Sequence, residues 1–210
     1  MARVIPITAP NAAELAAQVL GAGGLVVLPT DTVYGVAAWL DATAIERIFA
    51  AKQRPPEKAV PVLLASADNV PSVAEQFPAA AQRLAAAFWP GPLTLALPKR
   101  ADLPSNLSGL PTIGVRVPDH DGTRAVIAAT GGALAVTSAN RSDEPPACTV
   151  RNAVDDLGDA VALYLDGGDC PGGVPSTVVS FEGGDLRVVR PGPITEAMLR
   201  AALADDSQRS

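Results

Sequence analysis

Short apolar runs alternate with amphipathic helical stripes along nearly the whole chain, and this alternation restricts the fold more than any other feature. The runs read as strands are Leu25–Leu28, Val60–Leu64, Leu93–Leu97, Ile113–Val117, Leu134–Thr137, Val161–Leu165, Thr177–Phe181 and Leu186–Arg190. Helices are predicted for the segment opened by Asn11, for the stripe Ile45, Ile48 and Phe49, and for Pro78–Phe88, Gly122–Thr130, Val150–Leu157 and Thr195–Leu203. Asn11 and Glu14 form a capping-box pattern, with Leu15, Val19 and Leu20 as the buried stripe and Gly21 to Gly24 as the stop. The all-apolar Leu25–Leu28 reads as buried on both faces. Pro61 marks its run as an edge strand or a strand start. The order departs from strict strand–helix alternation, so the sheet is expected to be mixed. With 210 residues, no internal repeat and no long linker, residues 1–204 read as one layered α/β domain and 205–210 as a polar tail.

Composition removes several functions. Aromatic residues make up 4% of the chain, too few for a single-strand platform built on base stacking. A net charge of −6 gives no global field toward nucleic acid or anionic membranes, although a local basic groove stays open. Cys148 and Cys170 fit no metal spacing, and His120 is the single histidine, so no multi-histidine metal site can form. His120, in a Pro-Asp-His turn, reads as structural. No apolar run approaches the roughly 18 residues of a membrane span, and the N-terminus carries no secretory pattern. The expectation is a soluble, cytoplasmic protein with reduced thiols. There is no P-loop sequence, and Gly21-Ala22-Gly23-Gly24 precedes a strand instead of following one, so it fails as a dinucleotide fingerprint.

What remains is a set of polar groups at element ends. Leu25–Leu28 runs into Pro29-Thr30-Asp31-Thr32-Val33-Tyr34-Gly35. Lys52, Arg54 and Lys58 follow the second helix, with Pro55-Pro56 stiffening the turn. They suit either a solvated helix end or a polyphosphate, which arginine grips bidentately. Thr137-Ser138-Ala139-Asn140 follows a strand, where ligands collect in parallel sheets, though an ordinary turn or cap would look the same. Gly172-Gly173-Val174-Pro175-Ser176-Thr177 is a glycine-rich entry to a strand, suited to close ligand approach or to a tight connection. Arg116 lies in an apolar strand, so it either faces solvent at an edge or holds a carboxylate.

In order, LPTDTVYG, KQRP, FWPGPLTL, TIGVRVPDH, TSAN, PGGVPST and VVRPG resemble the YrdC/Sua5/TsaC family, the threonylcarbamoyl-AMP synthases. The chain ends soon after Arg190-Pro191-Gly192, which resembles the short TsaC-type form. The resemblance implies a YrdC/RibB-like three-layer α/β domain with a mixed twisted sheet and one large ligand cavity. It implies a nucleotidyltransferase that makes L-threonylcarbamoyladenylate from L-threonine, bicarbonate or CO2, and ATP, releasing pyrophosphate, for N6-threonylcarbamoyladenosine on tRNA. By motif position it implies catalytic cations at Lys52 and Arg54. It implies threonine contacts at Thr32, Arg116, Ser176 and the Val136 backbone, and ATP contacts at Arg54, Lys58, Thr112, Ser138, Asn140, Cys148 and Arg190. Mg2+ would accompany ATP through phosphates and water, with no protein metal ligand. Implied partners are tRNA-modification transferases and tRNA or double-stranded RNA, and no membrane. Leu63 stands where the family often has histidine, and Cys148 where it usually has serine or threonine. Two rival readings are a non-catalytic double-stranded RNA-binding module and a carbamoyl-adenylate-forming enzyme.

Overall fold

The computed structural model describes residues 3–171, 173–182 and 185–204; Gly172 of the glycine-rich loop and the tail 205–210 lie outside the described residues. In chain order the elements are β1 (Val4–Pro6), α1 (Ala12–Gly21), β2 (Val26–Leu28), β3 (Gly35–Ala38), α2 (Ala42–Lys52), β4 (Val62–Leu64), α3 (Ala79–Phe88) and β5 (Leu93–Pro98). There follow β6 (Thr112–Arg116), α4 (Asp121–Ala129), β7 (Ala133–Ser138), α5 (Val150–Leu157), β8 (Leu163–Asp166), β9 (Thr177–Glu182), β10 (Asp185–Arg190) and α6 (Glu196–Ala204). Among the described residues, ten strands form one mixed sheet in the order β1-β8-β2-β3-β7-β4-β6-β5-β9-β10.

Two helical layers sandwich the sheet. On one face, Ile45, Ile48 and Phe49 of α2, Leu84 of α3, Leu157 of α5 and Leu199 of α6 join the larger core. On the other, Ala12, Ala16 and Leu20 of α1 and Val126 and Ile127 of α4 cover Val26, Leu28, Ala37, Leu63, Leu134 and Val136. The α1 stripe therefore differs from the expected one. Leu15 and Val19 are only partly buried, while two alanines face the core. Small side chains let α1 lie close to the sheet and to α4. The Asn11 capping box is not formed: its side chain makes no cap bond, and its φ of −107° and ψ of 12° are not those of an extended N-cap. The α2 N-cap is made instead by Asp41, which accepts from Ala44 N at 2.9 Å. His120 is structural as read; its Nδ1 accepts from Thr123 N at 3.2 Å and caps α4.

Two strands escape sequence reading. β3 is hidden because its Val36-Ala37-Ala38 carries little strand signal, yet it is buried throughout. β1 is a three-residue edge strand ending in proline. Pro61 marks a strand start and not an edge, since β4 lies between β7 and β6.

Side chains that are paired across a ladder point to the same face. Arg116 pairs with Leu63, and Leu63 with Leu134. Gly114 pairs with Ala96, Thr94 with Val178, and Arg190 with Val178. Alternation then puts Ser138, Val136, Leu63, Thr112, Gly114, Arg116, Thr94, Val178 and Arg190 on one face, that of α1 and α4. Ser176 precedes β9 with the same parity. Those two helices cover only part of this face; beyond β4, Thr112, Gly114, Ala96 and Val178 remain partly exposed. A β-bulge helps to assemble it. Val188 pairs with Val179 and Arg190 with Val178, so Val189 is the inserted residue that brings Arg190 onto this face.

Candidate active site

The loop after β2 folds around Thr30. Its Oγ1 donates to Val33 O at 2.6 Å and accepts from the backbone N–H groups of Thr32 at 3.1 Å and Val33 at 3.2 Å. This turn buries Thr32 and aims its hydroxyl at β6. Arg116 Nη1 donates to Thr32 Oγ1 at 2.9 Å, Nε donates to Gly91 O at 2.9 Å, and Nη2 forms an ion pair with Asp31. The two alternatives for Arg116 resolve in favour of a held carboxylate. Burial pushes its pKa down, opposed by Asp31. Three of its five N–H groups are engaged. One N–H on each terminal nitrogen carries no bond among the described residues.

Arg190 and Ser176 close the opposite side. Arg190 Nη2 donates to Ser176 O at 2.8 Å and to Ser176 Oγ at 3.2 Å, and the two hydroxyls Ser176 Oγ and Thr94 Oγ1 lie 2.8 Å apart. Arg190 also acts electrostatically on Arg116. The glycine-rich loop reaches the first loop, where Gly173 N donates to Thr32 O at 3.0 Å. Thr32, Arg116, Ser176 and Arg190 are thus drawn into one cluster, joined by Asp31 and Thr94.

The second cluster forms at the end of α2. Gln53, with φ 50° and ψ 42°, ends the helix in the left-handed region, and Arg54 N donates to Phe49 O at 2.9 Å. Lys52 is 1% exposed. Its Nζ donates to the carbonyls of Ser138 and Asn140, and its own carbonyl accepts from Ser142 N at 2.9 Å. Burial, reinforced by Arg54, lowers the Lys52 pKa to about 8. Arg54 Nη2 donates to Ala59 O at 2.8 Å, and burial lowers its pKa as well. Lys58 pairs with Asp143 at 2.9 Å. Asn140 Nδ2 donates to Arg141 O and Glu144 O, both at 2.7 Å, while its Oδ1 is buried without a partner. Tyr34 ties the two clusters together, because its N donates to Ala147 O and its O accepts from Ala139 N, both at 2.8 Å.

The remaining expected residues are more loosely placed. Cys148 Sγ lies 3.6 Å from where a Cβ on Gly173 would stand, beside the glycine-rich loop. Thr112 begins β6, about 13 Å along the strand from Arg116. It shares the face, but among the described residues its side chain makes no hydrogen bond to either cluster. Val136 is buried, and its N donates to Pro61 O at 2.9 Å. An antiparallel pair of this type normally exchanges two bonds. Proline has no N–H to return, so the ladder leaves the Val136 carbonyl as an acceptor on the β4 side.

One expectation needs correction. Ser138–Asn140 does not follow a parallel strand; β7 is antiparallel to both β3 and β4. In this mixed sheet the shared face unites the site, not the carboxyl ends of strands. The expected residues do not line the hollow of about 700 Å³ beside Ser66, Asn69 and Arg124 or that of about 380 Å³ beside Arg47 and Asp159. The cations fold onto their neighbours over an open floor. Asp31, Thr30 and Thr94 were missed by sequence reading. Asp31 had a signal, since a buried Arg116 required a carboxylate and Asp31 adjoins Thr32.

The Sua5/YciO/YrdC family model, described as "Telomere recombination", matches residues 18–192. The threonylcarbamoyl-AMP synthase of Pyrococcus abyssi is 37% identical over 181 residues, 85% of this chain and 53% of that protein. The chain therefore spans about half the length of that relative. A putative threonylcarbamoyl-AMP synthase of Mycobacterium tuberculosis H37Rv is 37% identical over 188 residues, 89% of this chain and 86% of that protein. The crystal structure of P. abyssi Sua5 complexed with L-threonine superposes with a TM-score of 0.91 at 33% identity, covering 96% of this chain and 60% of that one.

Proposed function

Because the chain belongs to the Sua5/YciO/YrdC family, we propose that it is an L-threonylcarbamoyladenylate synthase. It would condense L-threonine, bicarbonate or CO2, and ATP, and release pyrophosphate. The observation that carries this reading is the Arg116 guanidinium. It is fixed by Asp31, Thr32 and Gly91, with one N–H left on each terminal nitrogen, on the sheet face that also bears Ser176 and Arg190. Such a fork suits an amino-acid carboxylate. A carbonyl without its ladder partner, at Val136, suits a substrate N–H or O–H. The adjoining Arg54 and Lys58 suit a triphosphate.

On this reading Arg116, Thr32, Ser176 and Val136 hold threonine. The neutral amine adds to CO2 and releases a proton to solvent, which gives an N-carboxylate. An oxygen of that carboxylate attacks the α-phosphorus of ATP, the bond to the bridging oxygen breaks, and pyrophosphate leaves with the electron pair. No protein nucleophile is required, so positioning and charge neutralisation supply the rate. Arg54, Lys58 and Arg190 would face the phosphates, while Lys52 fixes the Ser138–Asn140 backbone and keeps one N–H uncommitted. Thr112, Ser138, Asn140 and Cys148 would border the nucleotide.

Among the described residues no group of three His, Cys, Asp or Glu is placed to hold a metal, and Asp31 is committed to Arg116. These residues do not make a magnesium cage, so Mg2+ enters this reading only as the counter-ion of the ATP substrate. The product would feed a transferase that modifies tRNA. No helix among the described residues is long and apolar enough to cross a membrane.

The test is pyrophosphate release from ATP, with mass spectrometry of the product made from labelled bicarbonate. Release is expected to require both threonine and bicarbonate, and the label should appear in the adenylate. Equal release without threonine rejects the reading.

A further inference from the structure

Thr94 touches the Ser176–Arg190 pair and is not among the residues assigned above to threonine or ATP. It stands on β5 opposite Val178 of β9, one position before Leu95, which pairs with Val115 of β6. It is therefore level with Arg116 on the site face. It is 4% exposed. Its Cγ2 lies 3.1 Å from where a Cβ on Gly114 would stand, so its methyl faces β6 while its hydroxyl reaches Ser176 Oγ at 2.8 Å.

A serine hydroxyl offers one proton and two lone pairs. At Ser176 one lone pair receives the N–H of Arg190 Nη2 at 3.2 Å. If Ser176 gave its proton to Thr94, that proton would be consumed inside the cluster. If Thr94 gives its proton to Ser176, both lone pairs are filled and the Ser176 proton is left for an acceptor outside. Beside Arg116 and Arg190 the acceptor that electrostatics favours is an anionic oxygen. A hydroxyl chain running Thr94 to Ser176 to an anion is polarised in one direction, which strengthens each bond.

We propose that Thr94 is a positioning residue for substrate binding: its hydroxyl sets Ser176 as a hydrogen-bond donor to the carboxylate of the amino-acid substrate. This rests on the threonine-binding reading above. Thr94 itself touches no substrate.

The experiment measures L-threonine binding by calorimetry, then the KM values for threonine and ATP in pyrophosphate release, for the wild type, Thr94→Val and Thr94→Ser. Valine keeps the shape without the hydroxyl, and serine keeps the hydroxyl. Thr94→Val is expected to weaken threonine binding about tenfold or more, the effect of one hydrogen bond to a charged group. Its KM for ATP should stay within about twofold, and Thr94→Ser should recover most of the threonine affinity. Wild-type threonine affinity in Thr94→Val overturns the proposal. So does equal loss in both variants, or a parallel loss for ATP and threonine, because a purely structural residue would behave that way. If the wild type binds threonine in a Thr94-dependent manner but releases no pyrophosphate, the synthase reading fails and this inference stands. If the wild type does not bind threonine, both fall.

Discussion

Replacing Lys52 with methionine removes a charge that the fold holds at 1% exposure. Methionine keeps most of the length and apolar stem. Two effects on stability then oppose each other. The carbonyls of Ser138 and Asn140 lose their donor, at about 1–3 kcal/mol for each buried acceptor left unmade. Against that, the buried ammonium no longer has to be desolvated. The level of stability at one pH therefore decides little, but its slope with pH is diagnostic. The Lys52 pKa is about 8 in the folded protein against 10.5 for an ordinary lysine, lowered chiefly by burial. Between those values the unfolded chain binds the proton more than the folded one does, so stability rises with pH across that window. From pH 7.5 to 9.5 the wild type should gain about 2 kcal/mol relative to Lys52→Met. Tyr34 and Cys170, whose pKa values burial raises, act with the opposite sign as pH climbs, but they are common to both proteins and cancel in the difference. Urea unfolding of both proteins at the two pH values gives the result. Parallel pH dependences, or a wild type that loses stability relative to the variant, would refute the claim that Lys52 is a buried ammonium held charged against its surroundings.

Three other outcomes follow from the same geometry. Arg54→Ala should raise the KM for ATP by about tenfold or more, while the melting temperature moves by no more than a few degrees, since its side chain donates to the nearby Lys58 and Ala59 carbonyls; unchanged ATP kinetics would remove Arg54 from the polyphosphate site. Arg116→Lys cannot reproduce the three-way grip on Asp31, Thr32 and Gly91, so threonine affinity should fall about tenfold or more while ATP binding is retained; isothermal titration checks both ligands. Pro61→Ala supplies the missing N–H opposite Val136, so the new amide should be protected from hydrogen exchange and the KM for threonine should rise, with stability unchanged or slightly higher.

The sequence made most elements readable because their periods are plain. Ile45, Ile48 and Phe49 are buried where the spacing put them, and Lys52 follows one turn later. α1 misled because alanine reads equally well in or out, so Leu15 and Val19 drew the stripe away from Ala12 and Ala16. β3 was invisible because two of its four residues are alanine. Each of these errors concerns a residue type whose burial is decided by what packs against it, which lies elsewhere in the chain.

The site shows the same division more sharply. Thr32, Arg116, Ser176 and Arg190 could each be picked out by residue type and motif, yet nothing local says that they share a face. Parity along one strand is legible, as for Thr112, Gly114 and Arg116. Parity between strands needs the register, and here the register runs through an antiparallel pair (β6 with β5), a parallel pair (β5 with β9) and a bulged pair (β9 with β10). The bulge matters most. With Val188 opposite Val179, an unbulged ladder would set Val189 opposite Val178 and send the side chain of Arg190 to the other face. Val189 is 58% exposed and packs against no core, so its burial does not account for its presence. Its effect is on parity: the inserted residue brings Arg190 beside Ser176 and within electrostatic reach of Arg116. Two guanidinium groups drawn together across four strands repel each other unless something negative lies between them. The described carboxylate paired with Arg116 is Asp31, and among the described residues Arg190 bonds to neutral Ser176 oxygens. That imbalance of charge on the open floor is what an anionic substrate would neutralise.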